Sequence, residues 1–188
     1  TVTAGVLISA ASAVTWAQLH HWRNTITLFQ RALKVTSRNY LAHNNLGTAL
    51  DEQGKIKEAV DHYTKALEIY PNYWMAHNNL ATSLAGKGKV KEAIDHYTKA
   101  LEINPHYAGI HNNFATFLAQ QGRIDEALTH FSRALQIRPD FAEVYNNLGN
   151  VFGRQGMIDE AIDHYTKALE LKSDYAEAHN NLGVLLAK

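Results

Sequence analysis

The sequence of 188 residues contains no cysteine and only three prolines, and its 18 basic side chains equal its 18 acidic ones. Without cysteine the chain has no disulfide, no thiolate nucleophile and no cysteine-based metal site, and this absence is compatible with a reducing or an oxidising compartment. A net charge of zero provides no overall attraction to nucleic acid or to acidic membranes, so we expect no nucleic-acid partner. The composition, 46% hydrophobic and 19% charged, is typical of a soluble globular protein.

The sequence has one long stretch without charge, at its beginning. Residues 1–19, TVTAGVLISAASAVTWAQL, approach the length of a bilayer span, but six of them are Thr, Ser or Gln. The stretch also lacks the basic start of a signal peptide. Two interpretations remain open: a helix of the soluble fold, which the repeat pattern below favours, or the remnant of a membrane segment. We expect membrane contact only in the second case. The compartment stays open, with the cytoplasm favoured.

The sequence repeats itself with a period of 34 residues, and 23 of 33 residues are identical between 41–73 and 75–107. We number each repeat from 1 to 34, starting at residues 40, 74, 108 and 142, with a partial repeat from 176. Position 8 is always small and position 24 is always aromatic. Position 15 is always glycine: Gly54, Gly88, Gly122 and Gly156. The three prolines all occupy position 32: Pro71, Pro105 and Pro139.

This pattern predicts two helices in each repeat, joined by a tight turn. Positions 4, 7, 8 and 11 form one stripe with the 3.6-residue helical period, with histidine or tyrosine at position 4 and small or apolar residues at the others. Positions 17, 20, 21, 24, 27 and 28 form the apolar stripe of the second helix. Glycine at position 15 suits the left-handed conformation that often ends a helix. Proline at position 32 stops the second helix. The chain is therefore predicted to be all-α.

These recurring positions resemble the tetratricopeptide repeat, and the resemblance covers nearly the whole chain. It implies an α-solenoid, a right-handed superhelix of stacked antiparallel helix pairs whose first helices line a concave groove. We expect one solenoid domain over residues 1–188. Its full repeats are 40–73, 74–107, 108–141 and 142–175, and 176–188 is the first helix of a truncated repeat. The same frame, set at Val6, predicts a degenerate repeat over 6–39.

Eleven histidines raise the question of a metal or catalytic site. Most of them recur at position 4 (His43, His77, His111 and His179) and at position 23 (His62, His96, His130 and His164). Equivalent positions of successive repeats lie on the order of 10 Å apart, too far to share one zinc ion at about 2 Å per ligand. We expect position 4 to pack between helices and position 23 to face solvent in part. With no phosphate loop, catalytic triad or metalloprotease motif, we expect no enzyme activity, metal or cofactor.

A helical wheel places positions 2, 6, 9 and 13 of the first helix opposite the core, where a stacked solenoid has its groove. Position 6 is asparagine in every repeat: Asn45, Asn79, Asn113, Asn147 and Asn181. A side-chain amide carries both donors and an acceptor, so it can pair with peptide groups of any sequence. At about 10 Å spacing, these amides would meet an extended peptide about every third residue. The predicted peptide-binding set also includes Thr48, Thr82, Thr116, Asn150, Leu41 and Met75.

Two structural alternatives apply to the doubled asparagines. A position-6 amide could instead bridge to the adjacent repeat. Position 5, on the flank of the stripe, is expected to serve local structure; its residues are Asn44, Asn78, Asn112, Asn146 and Asn180. Mid-helix asparagine costs on the order of 0.5 kcal/mol relative to alanine, so some compensation is expected in either case.

The position-6 row resembles that of the superhelix of O-linked N-acetylglucosamine transferases, which implies that these asparagines contact a peptide backbone. We predict a non-enzymatic protein–protein interaction scaffold whose partner is a protein or peptide segment in extended conformation. Two alternatives remain open. One is a self-assembling module that forms homo-oligomers through exposed solenoid ends, where Leu182, Leu185 and Leu186 lack a covering helix. The other is the C-terminal tail of a membrane-bound or O-GlcNAc-type glycosyltransferase.

Overall fold

The computed structural model describes residues 25–187, and within them the chain forms ten helices and no strand. The helices are α1 (Thr25–Val35), α2 (Tyr40–Asp51), α3 (Ile56–Ile69), α4 (Trp74–Gly86), α5 (Val90–Ile103), α6 (Ala108–Gln120), α7 (Ile124–Ile137), α8 (Ala142–Arg154), α9 (Ile158–Leu171) and α10 (Ala176–Leu186). The predicted all-α, α-solenoid class is confirmed. In residues 25–187 no helix combines the length and apolar character needed to cross a membrane. The uncharged stretch 1–19 and the first helix of the predicted repeat 6–39 lie outside the described residues.

Each full repeat contributes a helix pair, and its first helix begins at position 1. The four position-15 glycines adopt the predicted left-handed conformation, with φ between 71° and 78°. This conformation reverses the chain and lets the next residue bond back to the first helix. Lys55 N, for example, donates to Leu50 O at 2.9 Å. The second helices α3 and α9 end two residues before position 32, which is Pro71 after α3 and Ser173 after α9.

The chain divides into two compact units, residues 1–96 and 97–188. We call their described parts the N-terminal unit (25–96) and the C-terminal unit (97–187). In the N-terminal unit the core includes Leu46, Ala59 and Tyr63, each at most 1% exposed. The small residue at position 8 has a steric reason there, because a Cβ on Gly47 would lie 2.6 Å from the Tyr63 ring.

The C-terminal unit is built in the same way around Phe131, Ala134 and Val144, all fully buried. A Cβ on Gly149 would lie 2.6 Å from the ring of Tyr165, which is the same clash as in the other unit. Small residues at position 8 therefore let the aromatic at position 24 pack directly against the first helix, as the sequence pattern predicted.

Candidate functional site

The predicted groove residues are accessible in both units. All five position-6 asparagines are half-buried, as are Thr48, Thr116 and Asn150, while Thr82 is exposed. Leu41 and Met75 at position 2 are 47% and 36% exposed. Each of these residues lies on the first helix of its repeat, in α2, α4, α6, α8 or α10.

The position-5 asparagines are buried rather than flanking, so their predicted place on the wheel is wrong. Asn44, Asn112 and Asn146 are only 4%, 2% and 1% exposed, and Asn78 is also buried. Only Asn180, among the five, is exposed. Four position-5 amides therefore sit beneath the groove surface, where their polar atoms need hydrogen-bond partners.

In the N-terminal unit these partners come from the next repeat. Asn79 Nδ2 donates to Asn44 Oδ1 at 3.2 Å and to Thr48 Oγ1 at 3.4 Å. Asn44 Nδ2 in turn donates to Asn45 Oδ1 at 3.3 Å. We call the bond from a position-6 asparagine to the position-5 asparagine of the preceding repeat the amide bridge. It is the adjacent-repeat alternative that the sequence left open, and it couples α2 to α4.

The C-terminal unit contains two amide bridges. Asn147 Nδ2 donates to Asn112 Oδ1 at 3.0 Å and also to Thr116 Oγ1 at 3.2 Å. Asn181 Nδ2 donates to Asn146 Oδ1 at 3.0 Å. The bridges therefore hold the first helices α6, α8 and α10 in register.

Two glutamates complete the bridges of the C-terminal unit. Asn112 Nδ2 donates to Glu143 Oε1 at 2.9 Å, and Asn146 Nδ2 donates to Glu177 Oε1 at 3.2 Å. Sequence reasoning missed this role. The available signal was the position-2 glutamate that stands 31 residues after each of these asparagines.

The position-9 residues link the bridges to the core aromatics. Thr48 Oγ1 donates to Asn44 O at 3.2 Å and accepts from the Tyr63 hydroxyl at 3.4 Å. In the C-terminal unit the Tyr165 hydroxyl donates to Asn150 Oδ1 at 2.8 Å. Burial raises the pKa of Tyr63 to about 12, so the phenol remains a hydrogen-bond donor at neutral pH.

Two adjoining pockets lie along the first helices of the C-terminal unit. The first, of about 250 Å³, is lined by Thr116, Asn147, Asn150, Arg154 and Glu177, among others. The second, of about 440 Å³, shares Asn150 and Arg154 and extends along α10 to Asn181 and Val184. The polar part of the lining combines amides, hydroxyls, the carboxylate of Glu177 and the cation of Arg154, and amides and hydroxyls can pair with peptide groups. Apolar side chains such as Val151 and Leu185 complete the two pockets.

The histidines of positions 4 and 23 form pairs, a contact that sequence reasoning did not foresee. The two Nδ1 atoms lie 2.9 Å apart in His43–His62, 2.8 Å in His77–His96 and 3.0 Å in His111–His130. Position 4 thus packs and bonds as predicted. Position 23 is half-buried, which agrees with partial exposure, but its ring is engaged in the pair.

The hydrogen-bond roles of the two rings can be assigned in the His77–His96 pair. His77 Nε2 lies 2.9 Å from Pro71 O, so it donates there and leaves Nδ1 to accept from His96. Burial, followed by the charge of the paired ring, lowers the pKa of His96 and of His130. Within residues 25–187 no group of three or more metal-ligating side chains is present.

Comparisons with family models and with solved structures point to the same family. Tetratricopeptide repeat models match residues 40–73, 74–107 and 106–174, and a comparison with curated protein sequences gives no match. PilF of Pseudomonas aeruginosa is 29% identical over 79% of this chain and 68% of its own, with a TM-score of 0.72. TTC0263, a thermophilic TPR protein of Thermus thermophilus, is 25% identical over 93% of this chain and 95% of its own, with a TM-score of 0.79.

A third solved structure adds a likeness of fold. YrrB, described as a TPR protein with an unusual peptide-binding site, is 24% identical over 85% of this chain and 82% of its own, with a TM-score of 0.62. The matched models cover most of the chain, and the helix pairs, the left-handed glycines and the stacked first helices agree with them. The chain therefore belongs to the tetratricopeptide repeat family.

Proposed function

We propose that this chain is a non-catalytic scaffold that binds an extended peptide segment of a partner protein along its position-6 asparagines. Tetratricopeptide repeats indicate a protein–protein interaction scaffold, and the proposal adds the kind of ligand and the residues that bind it. In the N-terminal unit these residues are Asn45, Asn79, Thr48, Thr82, Leu41 and Met75. In the C-terminal unit they are Asn113, Asn147, Asn181, Thr116 and Asn150.

The observation that carries the proposal is the pocket of about 250 Å³ in the C-terminal unit. Asn147 lines it with its half-buried amide, between Thr116 and Asn150. Asparagines that served packing alone would be expected in the buried layer, where Asn112 and Asn146 already are. The Asn147 amide bonds to Asn112 through Nδ2 and also faces the pocket, where peptide groups are its complement.

Residues at position 2 would add local preference. Leu41 and Met75 place apolar side chains at the groove of the N-terminal unit and are 47% and 36% exposed. The C-terminal unit carries Glu143 and Glu177 at the same position. We therefore expect the N-terminal unit to favour apolar side chains of the ligand, and the C-terminal unit to favour polar ones.

A selected peptide tests the proposal. Peptides are selected on the wild-type chain from a random library of linear 12-residue sequences, and their dissociation constants are measured by fluorescence polarisation. The variant Asn113→Ala with Asn147→Ala is expected to weaken the best peptide by about 1–3 kcal/mol, typical of lost buried hydrogen bonds. Its helical circular dichroism should remain unchanged.

The matched control is Asn180→Ala, which removes the same group at an exposed position 5, outside the proposed binding set. The groove variant must lose more affinity than this control. Equal binding by wild type and the groove variant would refute the proposal. An equal loss in the two variants would refute it too, because the loss would then not depend on position 6.

Self-association is a second candidate, favoured by exposed apolar residues on α10. Val184 is 55% exposed and Leu186 is 64% exposed. Burying such side chains against a second copy would remove apolar surface from water. Multi-angle light scattering between about 10 μM and 1 mM tests this candidate. A constant monomer mass over that range rules it out, and replacing Leu186 by Glu should shift any dimer toward monomer.

A further inference from the structure

We infer that Asn79 and Asn147 bind a ligand only through their side-chain oxygens, so that these two positions recognise backbone N–H groups of an extended peptide. The inference rests on the proposed function and specifies its chemistry. An isolated asparagine amide offers two N–H donors and an oxygen with two lone pairs. In this structure the Nδ2 and Oδ1 atoms of these amides have different roles.

The Nδ2 group of Asn147 donates inside the protein, to Asn112 Oδ1 at 3.0 Å and to Thr116 Oγ1 at 3.2 Å. Asn79 repeats the arrangement in the N-terminal unit, with bonds of 3.2 Å to Asn44 Oδ1 and 3.4 Å to Thr48 Oγ1. The donors of both amides are therefore used in bridging repeats.

The orientation of the Asn147 amide follows from its surroundings. Glu143 has a carboxylate, which only accepts, so Asn112 must direct its Nδ2 toward Glu143 and its Oδ1 toward Asn147. The hydroxyl proton of Thr116 is donated to Asn112 O at 2.9 Å, which leaves Thr116 Oγ1 as an acceptor. Two acceptors thus face one side of Asn147, and a flipped amide would oppose oxygen to oxygen.

The oxygen of Asn147 is left for the groove. Asn146 Nδ2 donates to Glu177 rather than to its neighbour, and among the described residues no donor reaches Asn147 Oδ1. In the N-terminal unit Asn79 Oδ1 accepts one bond, from Asn78 at 3.2 Å, and an amide oxygen can accept a second. At Asn79 and Asn147 the groove therefore presents an acceptor.

Recognition of a peptide carbonyl by Asn147 would require giving up an Nδ2 bond to Asn112 or to Thr116. Loss of the first bond would leave Asn112 Oδ1, in a side chain only 2% exposed, without a donor. An unpaired buried acceptor carries its full desolvation cost, which offsets the new bond. A peptide N–H meets no such obstacle, because it occupies a lone pair that the protein does not use.

Backbone-edited peptides test the inference. The parent is a library peptide whose binding is weakened by Asn113→Ala with Asn147→Ala. Each backbone amide of the parent is replaced in turn by an ester, which removes the N–H donor, and in a second series by a thioamide, which is a poorer acceptor and a better donor. Esters at the amide units that meet Asn147 or Asn79 are expected to lower affinity about tenfold, the effect of one lost hydrogen bond.

The thioamides at the same units should bind within about twofold of the parent, or more tightly. At the peptide bond that meets Asn147, the loss of affinity caused by the ester should disappear in the single variant Asn147→Ala, because the acceptor is then absent. Esters that bind like the parent throughout, or thioamides that weaken binding at the ester-sensitive units, overturn the inference while leaving peptide binding intact. If no library peptide is weakened by the groove variant, the proposed function fails and the inference fails with it.

Discussion

The amide bridge predicts a large difference between two asparagines at the same repeat position. Asn112 is 2% exposed and holds two side-chain bonds, to Asn147 at 3.0 Å and to Glu143 at 2.9 Å. Asn180 occupies position 5 of the last repeat but is exposed. Replacing each by leucine, which has a similar size, removes the amide while limiting the change in volume.

The expected magnitude follows from the bonds that are lost. A neutral hydrogen bond contributes about 1 kcal/mol and one to a charged group about 1.5–3 kcal/mol. Burying the leucine side chain returns about 1 kcal/mol of hydrophobic stabilisation. We therefore expect Asn112→Leu to lower the free energy of unfolding by about 1.5–3 kcal/mol, and Asn180→Leu to change it by less than about 0.5 kcal/mol.

Urea unfolding followed by circular dichroism at 222 nm measures both changes in the same chain. A double-mutant cycle between Asn112→Leu and Glu143→Leu should give a coupling of about 1–2 kcal/mol, since the two residues share a bond. Equal effects of the leucine substitutions at positions 112 and 180 would refute the reasoning, because the burial and the amide bridge of Asn112 would then contribute nothing to the free energy of unfolding.

Two further predictions concern pH and packing. Burial, as the largest cause, lowers the pKa of His43, His62, His96, His111 and His130, so the unfolded chain binds protons first. The free energy of unfolding should therefore be highest above about pH 6.5 and should fall as the pH drops below that value. An increase in the urea midpoint as the pH is lowered from 7.5 to 5 would contradict this prediction. Gly47→Ala places a Cβ 2.6 Å from the Tyr63 ring and should cost about 1–3 kcal/mol, whereas Gly86→Ala, with nothing within 4 Å, should be neutral or stabilising. Equal thermal midpoints for the two alanine variants would contradict the packing argument.

The helix pairs could be predicted from the sequence because their signals are local. A period of 3.6, a glycine that needs positive φ and a proline after the second helix act within one repeat. Gly54 and Pro71 therefore located the turns without knowledge of any neighbouring repeat. The exposed stripe followed for the same reason, and Asn147 and Thr116 lie on it as expected.

The contacts between helices could not be predicted in this way. A helical wheel describes one helix, whereas the burial of Asn112 depends on how closely the next first helix approaches. The pairing of His111 with His130 depends on the register of two antiparallel helices, which residue spacing alone does not specify. Glu143 stands at position 2 of the exposed stripe, and only the stacked repeats show that it accepts from Asn112. The extent of the solenoid over residues 1–188 and the peptide site itself stay predictions.

The most direct test of the central claim is nuclear magnetic resonance of the asparagine side chains during titration with the selected peptide. We expect the Cγ resonance of Asn147 to shift as its oxygen accepts a peptide N–H, while its Nδ2 protons stay protected from exchange by Asn112 and Thr116. Asn112, beneath the groove, should shift much less and serves as the internal reference. Saturation with peptide that leaves Asn147 unchanged, or that exposes its Nδ2 protons to exchange, would contradict the account.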